Sequence, residues 1–232
     1  MDTVVVTDVP RAPLDAIDRL AGYGVATVHE ALGRTGYLGP AHRPTHLGRR
    51  IGGSAVTALC WPGDNLMIHA AVEQCRDGDV LVVTTASPCT DGMFGELLAT
   101  SLQARGVRGL VIDAGVRDIA ELHAMGFPVW SRAVSAQGTV KSTAGAVNVP
   151  IVVGAQTIRA GDVILADDDG VVCVPRDDVP RAVELAQARV DREEAAREAF
   201  QAGQLGLDRY ELRDKLAALG VRYVTAAEYG SR

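Results

Sequence analysis

Apolar positions recur along this chain in two rhythms. Leu14, Ile17 and Leu20 fall at helical spacing with Asp15, Asp18 and Arg19 on the wet side, which predicts a helix over Pro13–Gly22. A second helix is predicted over Thr27–Arg34, ended by Gly36, and the stretch Tyr37–Leu47, with Gly39, Pro40 and Pro44, reads as loop. From Ile51 onward, continuous apolar runs alternate with amphipathic ones. Strands are predicted at Ile51–Cys60, Val80–Thr84, Gly109–Ile112 and Pro128–Ser131, and helices at Leu66–Gln74, Glu96–Arg105 and Asp118–Met125. Unbroken apolar strands separated by helices indicate an α/β layer whose parallel strands are buried on both faces.

Beyond Ala133 the pattern changes. The part up to Pro175 is rich in Val, Gly and Thr, and VILA-DDDG-VVCV predicts a β-hairpin turning at Asp169-Gly170. A long helix follows over Val179–Ala202, with Pro180 in its first turn and Glu184, Arg189, Glu193 and Arg197 on its exposed face. A last amphipathic helix is expected over Asp208–Leu219. With no repeat, low-complexity run or flexible linker, the expectation is one domain over 1–232, carrying a helical C-terminal extension from about 178.

Composition narrows the function classes. At 232 residues and 47% hydrophobic, the chain can bury a substantial core. A net charge of −6 without a basic cluster argues against nucleic acid as a partner. No apolar run approaches the roughly 18 residues of a membrane span, and the first residues lack the basic-then-apolar order of a secretory signal. Cys60, Cys75, Cys89 and Cys173 are too widely spaced for a zinc motif and fit reduced thiols in a cytoplasmic protein.

The candidate chemistry gathers where the strand at Leu110–Ile112 runs into Asp113-Ala114-Gly115-Val116-Arg117-Asp118 and then a helix. Active sites of open α/β sheets collect at such carboxyl ends. Arg117 offers a planar cationic fork for a carboxylate or enolate oxygen, and Asp118 a hard donor for Mg²⁺ or Mn²⁺. Asp118-Ile-Ala-Glu121 also has the spacing of a helix capping box, and local pattern alone favours that reading. The preceding helix opens at Gly95-Glu96-Leu97-Leu98, where free amides could grip a carboxylate; taken alone, Glu96 is an ordinary first-turn acid. PGDN at 62–65 reads as a turn opening a helix, with Asn65 and His69 four residues apart and able to hold a polar substrate arm. His42 and His46, flanking Pro44, make a poor metal pair. Neither Lys141 nor Lys215 suits a Schiff base, and no GxSxG, Walker or GxGxxG motif is present.

Glu96, then twenty residues, then Arg117-Asp118 resembles the acidic-x20-Arg-Asp pattern of the divalent-metal pyruvate aldolases, which share a fold with the regulator of ribonuclease E activity A. AGYGVATVHEALGR (21–34), PGDNLMIHAAVEQ (62–74), MGFPVWS (125–131) and DDDGVVCVP (167–175) extend the likeness over nearly the whole chain. The resemblance implies a layered α/β sandwich similar to swivelling phosphohistidine-type domains, assembled as a homotrimer or homohexamer with sites between subunits. It implies Mg²⁺ or Mn²⁺ bound directly by Asp118 and through water by Glu96 and by Glu193, the latter from a neighbouring subunit. Arg117 would contact the pyruvyl oxygen, and Leu97 and Leu98 would offer amides to the carboxylate; Glu30 is a weaker candidate from across an interface. The implied reaction is cleavage of 4-carboxy-4-hydroxy-2-oxoadipate, and of 4-hydroxy-4-methyl-2-oxoglutarate, in the breakdown of aromatic compounds, with oxaloacetate decarboxylation alongside. A water held by Glu96 is the candidate base. The family often carries Asp where this chain has Glu96, and the regulators lack that acid, so its presence favours an enzyme over a non-catalytic regulator; a related keto-acid lyase stays open.

Overall fold

The computed structural model describes residues 3–230. Its elements in chain order are α1 (Leu14–Tyr23), α2 (Val25–Ala31), β1 (Arg43–Pro44), β2 (Ile51–Cys60), α3 (Leu66–Gln74), β3 (Asp79–Thr85), β4 (Gly92–Phe94), α4 (Glu96–Gln103), β5 (Gly109–Val116), α5 (Ile119–Ala124) and β6 (Val129–Val134). Then come β7 (Ala146–Val147), β8 (Ile151–Val153), β9 (Gln156–Ile158), β10 (Val163–Asp167), β11 (Gly170–Val174), α6 (Val179–Gln201), α7 (Gly206–Arg209), α8 (Leu212–Ala218) and α9 (Ala226–Gly230). The chain falls into two compact units, Met1–Ala188 and Arg189–Arg232.

In the first unit the strands form a mixed sheet ordered β1-β6-β5-β3-β2-β10-β11, with β4 beside β5 and β7 beside β2. Strands β2, β3, β5 and β6 are parallel, as the alternation of apolar strands and helices predicts. Their side chains alternate between two cores. Leu81, Val83, Leu110, Ile112 and Val129 pack outward against Ile68 of α3, Leu102 of α4 and Leu122 of α5. Val80, Val82, Val111 and Trp130 point the other way and meet Ile164, Ala166 and Val171 from the far end of the same sheet. The Trp130 indole N–H donates to the Asp167 carbonyl at 2.8 Å, tying β6 to β10 although β5, β3 and β2 lie between them in the sheet. The expected layers are therefore bent into a nearly closed barrel-like sheet. Each fully buried branched side chain of β3 contributes about 1.5–3 kcal/mol. A third cluster places Ile17, Leu20, Val28 and Val183 over Val163, Leu165, Val172 and Val174.

Several boundaries depart from expectation. The loop 37–47 contains β1, which pairs antiparallel with β6 through Arg43↔Ser131. The hairpin register Asp167↔Gly170 makes Asp168-Asp169 the turn, not Asp169-Gly170. Asp167 explains the shift: its Oδ1 accepts the Asp169 N–H at 3.0 Å and its Oδ2 the Val25 N–H at 2.9 Å, so it caps both the turn and α2. Strand β5 continues four residues past Ile112 across a register shift, because β6 and β4 go on pairing with it. In the second unit the helix expected over Asp208–Leu219 is two short helices, broken where Glu211 takes a left-handed φ of 53°. There Phe200 and Tyr210 pack edge to face, and Glu193 pairs with Arg189 at 2.6 Å. Among the described residues no helix is long and apolar enough to cross a membrane, and all four cysteines are free and buried.

Candidate active site

The end of β5 decides the site. The Arg117 N–H donates to the Phe94 carbonyl at 2.9 Å, which continues the alignment of β4 with β5 for one residue beyond the strand. Asp118 then turns left-handed, at φ 56° and ψ 42°, a conformation that Asp adopts more readily than most residues. The turn starts α5, yet the Asp118 side chain makes no cap bond to its own helix. The capping box read from Asp118 and Glu121 is thus wrong, because a left-handed residue aims its carboxylate away from the amides that follow. Instead Asp118 Oδ2 accepts the Glu96 N–H at 3.0 Å, so it caps the neighbouring α4. The same oxygen lies 3.6 Å from Arg117 Nε. Asp118 Oδ1 carries no hydrogen bond within the described chain.

Gly95 makes this possible. A Cβ there would stand 2.2 Å from Asp118 Oδ2 and 3.1 Å from Arg117 Cγ, so only glycine lets α4 begin against this pair. The next two amides of α4, those of Leu97 and Leu98, have no acceptor among the described residues and face a cavity of about 200 Å³. Asn65, His69, Gly95, Leu97, Leu98, Arg117 and Asp118 all line that cavity, so most of the residues singled out from the sequence meet in one place. Larger hollows lie elsewhere, such as the one of about 630 Å³ among Arg189, Arg192, Asp208 and Tyr210, but that one is a surface dish remote in sequence from the strand ends.

On the cavity's other flank stands α3. Asn65 is 7% exposed; its Nδ2 donates to the Met93 carbonyl at 3.0 Å, while its Oδ1 is buried with no partner. A buried acceptor beside a cavity awaits a donor such as a substrate hydroxyl. Burial first, and then the Lys141 ammonium, push the pKa of His69 below its ordinary value. Lys141 lines the same cavity, a site residue that sequence reasoning passed over. Its only sequence signal was its rarity, one of two lysines in the chain.

The other expected ligands make contacts of their own. Glu96 is not part of the lining; its Oε1 accepts the Thr100 hydroxyl at 2.8 Å. Glu30 pairs with Arg34 at 3.0 Å on α2 and its exit, and Glu193 belongs to the second unit. His42 and His46 serve different contacts: His42 Nε2 meets Asp113 Oδ1 at 3.0 Å, and His46 lies edge-on to His123. No group of three or more His, Cys, Asp or Glu side chains converges among the described residues. Asp118 would thus be a lone direct protein ligand, which suits a hard cation that keeps several waters and takes substrate oxygens.

The structure thus sets an Arg-Asp pair at a strand end of a mixed, nearly closed sheet, beside the N-terminus of α4. The chain belongs to the RraA-like family (Aldolase/RraA), which matches residues 25–173. A protein of Halalkalibacterium halodurans named "Putative 4-hydroxy-4-methyl-2-oxoglutarate aldolase" is 28% identical over 200 residues, covering 86% of this chain and 95% of that protein. A Burkholderia multivorans protein of the same name is 35% identical over 142 residues, 61% of this chain and 86% of its own. Among solved structures, Streptomyces coelicolor RraAS2, described as an unusual member of the RNase ES inhibitor RraA protein family, superposes with a TM-score of 0.72 at 28% identity, covering 81% of this chain and 98% of that one. An uncharacterized protein from Pseudomonas syringae pv. tomato gives 0.73 at 26%, covering 84% and 96%.

Proposed function

We propose that this protein is a divalent-metal-dependent pyruvate aldolase. It cleaves 4-carboxy-4-hydroxy-2-oxoadipate to pyruvate and oxaloacetate, and 4-hydroxy-4-methyl-2-oxoglutarate to two pyruvates, with oxaloacetate decarboxylation as a second activity. The observation that carries this reading is the meeting of Arg117, Asp118 and the free Leu97 and Leu98 amides in one cavity with Asn65 and His69.

A 2-keto acid matches that arrangement. Its carboxylate takes the two amides at the positive end of α4, and its keto oxygen faces the Arg117 fork. Asp118 would hold Mg²⁺ or Mn²⁺, with Glu96, and Glu193 from a neighbouring copy in a homotrimer or homohexamer, reaching it through water. When bound, the cation supplies a Lewis acid for the oxygen that becomes enolate. Arg117 stabilises the same charge as the C3–C4 bond breaks, acting where charge develops. The C4 hydroxyl carries the one proton that must leave before the C3–C4 bond breaks. His69, kept neutral at pH 7 by burial and Lys141, takes that hydroxyl proton and returns it to C3 of the enolate. Glu96, turned to Thr100 and outside the lining, is less well placed to take that proton than the water-mediated role expected of it required.

The test is pyruvate release from both hydroxy diacids, with metal stripped and then restored. Release that vanishes in chelator and returns with Mg²⁺ supports the reading; no release with any divalent metal overturns it in favour of a non-catalytic regulator. The pH profile is a second check. A proton acceptor whose pKa lies below the usual histidine value of about 6.5 is fully basic through the neutral range and is lost only as pH falls. Thus kcat/KM is expected to change little through the neutral range and to drop on the acid side. A His69→Gln variant that kept both full turnover and the acid limb would remove His69 from the mechanism.

A further inference from the structure

The PGDN turn does more than open α3. Asp64 is 2% exposed, and its carboxylate is divided between two jobs. Oδ1 accepts the Leu66 N–H at 2.9 Å, closing the first turn of the helix. Oδ2 accepts the Ser142 and Thr143 N–H groups at 2.8 and 2.7 Å, nearly eighty residues further along the chain. The backbone on either side repeats the connection: Val140 N–H donates to the Gly63 carbonyl at 2.9 Å, and Asn65 N–H to the Val140 carbonyl at 3.0 Å. Lys141 stands between those two sets of bonds, in a stretch from Ala136 to Gly145 with no regular strand or helix of its own. Its side chain reaches the cavity of Asn65, His69 and Arg117. Burial alone would raise the Asp64 pKa, but the three backbone N–H groups outweigh it and hold the carboxyl below the ordinary range, so the clamp is charged.

We propose that Asp64 is a positioning residue that pins the Lys141 loop to the start of α3, so that the Lys141 ammonium forms a second cationic centre and the pocket selects 2-keto acids bearing a second carboxylate. This rests on the keto-acid reading of the Arg117 site. A lysine stem is flexible and loses much entropy on being held, so fixing the backbone on both sides is what lets one ammonium discriminate. A turn that merely capped α3 would need only Oδ1; the whole of Oδ2 is spent on the loop.

The experiment uses the full-length protein with Mg²⁺ and two keto acids it cannot cleave, 2-oxoglutarate and 2-oxopentanoate, which differ by the far carboxylate. Calorimetry on the wild type is expected to give at least about tenfold tighter binding of 2-oxoglutarate, the scale of one charge-assisted bond. Lys141→Ala, at an exposed position, erases most of that preference. Asp64→Asn, whose amide offers one acceptor where two were used, weakens it as well, and adds nothing further in the Lys141→Ala background, since it acts through that lysine. Amide exchange at Ser142 and Thr143 speeds up in Asp64→Asn. A wild type without the preference overturns the proposal, as does a preference that survives Lys141→Ala, or additive losses in the double variant, which would make Asp64 merely structural. Should Asp64→Asn fail to fold, the Lys141→Ala result still decides. A preference without pyruvate release from the hydroxy diacids sinks the aldolase reading and leaves this one standing; release without preference does the reverse.

Discussion

Asp118→Asn is expected to fold like the parent and to release pyruvate at least about a hundredfold more slowly, the loss typical when one preorganised electrostatic contact at a reacting centre is removed. The choice of Asn follows from the geometry. Asp118 sits at φ 56°, a conformation that Asn tolerates as well as Asp does. The Asn oxygen can still accept the Glu96 N–H, so the cap on α4 survives. Only the negative charge is lost, and with it the hard donor for a cation and the partner 3.6 Å from Arg117 Nε. The more obvious Asp118→Ala confounds these effects. It strips the cap at about 1 kcal/mol and strains a left-handed residue by roughly 1–2 kcal/mol, so lost activity could be lost structure. The check is a thermal melt beside a pyruvate assay over a Mg²⁺ titration. Asp118→Asn should melt within a few degrees of the parent and keep its low rate at every Mg²⁺ level. Full activity of the folded variant in thorough chelator would exclude a metal at this position.

The comparison of sequence with structure turns on particular residues. The parallel core was legible because β3 and β5 hold short apolar runs, Val80–Val83 and Leu110–Ile112, that fit burial on both faces and are separated by helices. Asn65, His69, Arg117, Asp118 and the start of α4 could be placed together because they open consecutive strand–helix units, which lie side by side. What stayed hidden was long-range. Nothing in Asp118-Ile-Ala-Glu121 says that the carboxylate caps a different helix, since the deciding factor is a left-handed φ imposed where β5 leaves the sheet. Lys141, weighed in the sequence only as a Schiff-base lysine, could not be placed beside Arg117 because its position depends on bonds to a turn nearly eighty residues earlier. The curl of the sheet was equally hidden, since Trp130 meets Asp167 only after the strands between them have twisted. Glu30, assigned to a neighbouring subunit by resemblance, is not among the residues that line the cavity, and Glu193, assigned likewise, belongs to the second unit.

Gly95→Ala tests the same centre from the other side. Gly95 is extended, at φ −160° and ψ −167°, so alanine meets no backbone objection there. Its added methyl would instead overlap Asp118 Oδ2 at 2.2 Å and press on Arg117 Cγ at 3.1 Å. The atom most at fault is the tip of a side chain that is about one-third exposed, so the least costly relief is rotation of the Asp118 carboxylate away from α4. That breaks the bond to the Glu96 N–H and moves the carboxylate by about an ångström, a displacement that commonly costs on the order of a hundredfold in rate. Stability should fall by only about 1–2 kcal/mol, the loss of one cap plus mild overpacking, so the variant folds and its activity can be measured. The two substitutions then act on one group. Combined with Asp118→Asn, Gly95→Ala should reduce pyruvate release little beyond the single Asn variant, because the carboxylate it displaces is already gone. Wild-type turnover in Gly95→Ala would show that the orientation of Asp118 against α4 is not the one used in catalysis, and additive losses would show that Gly95 acts on something other than Asp118.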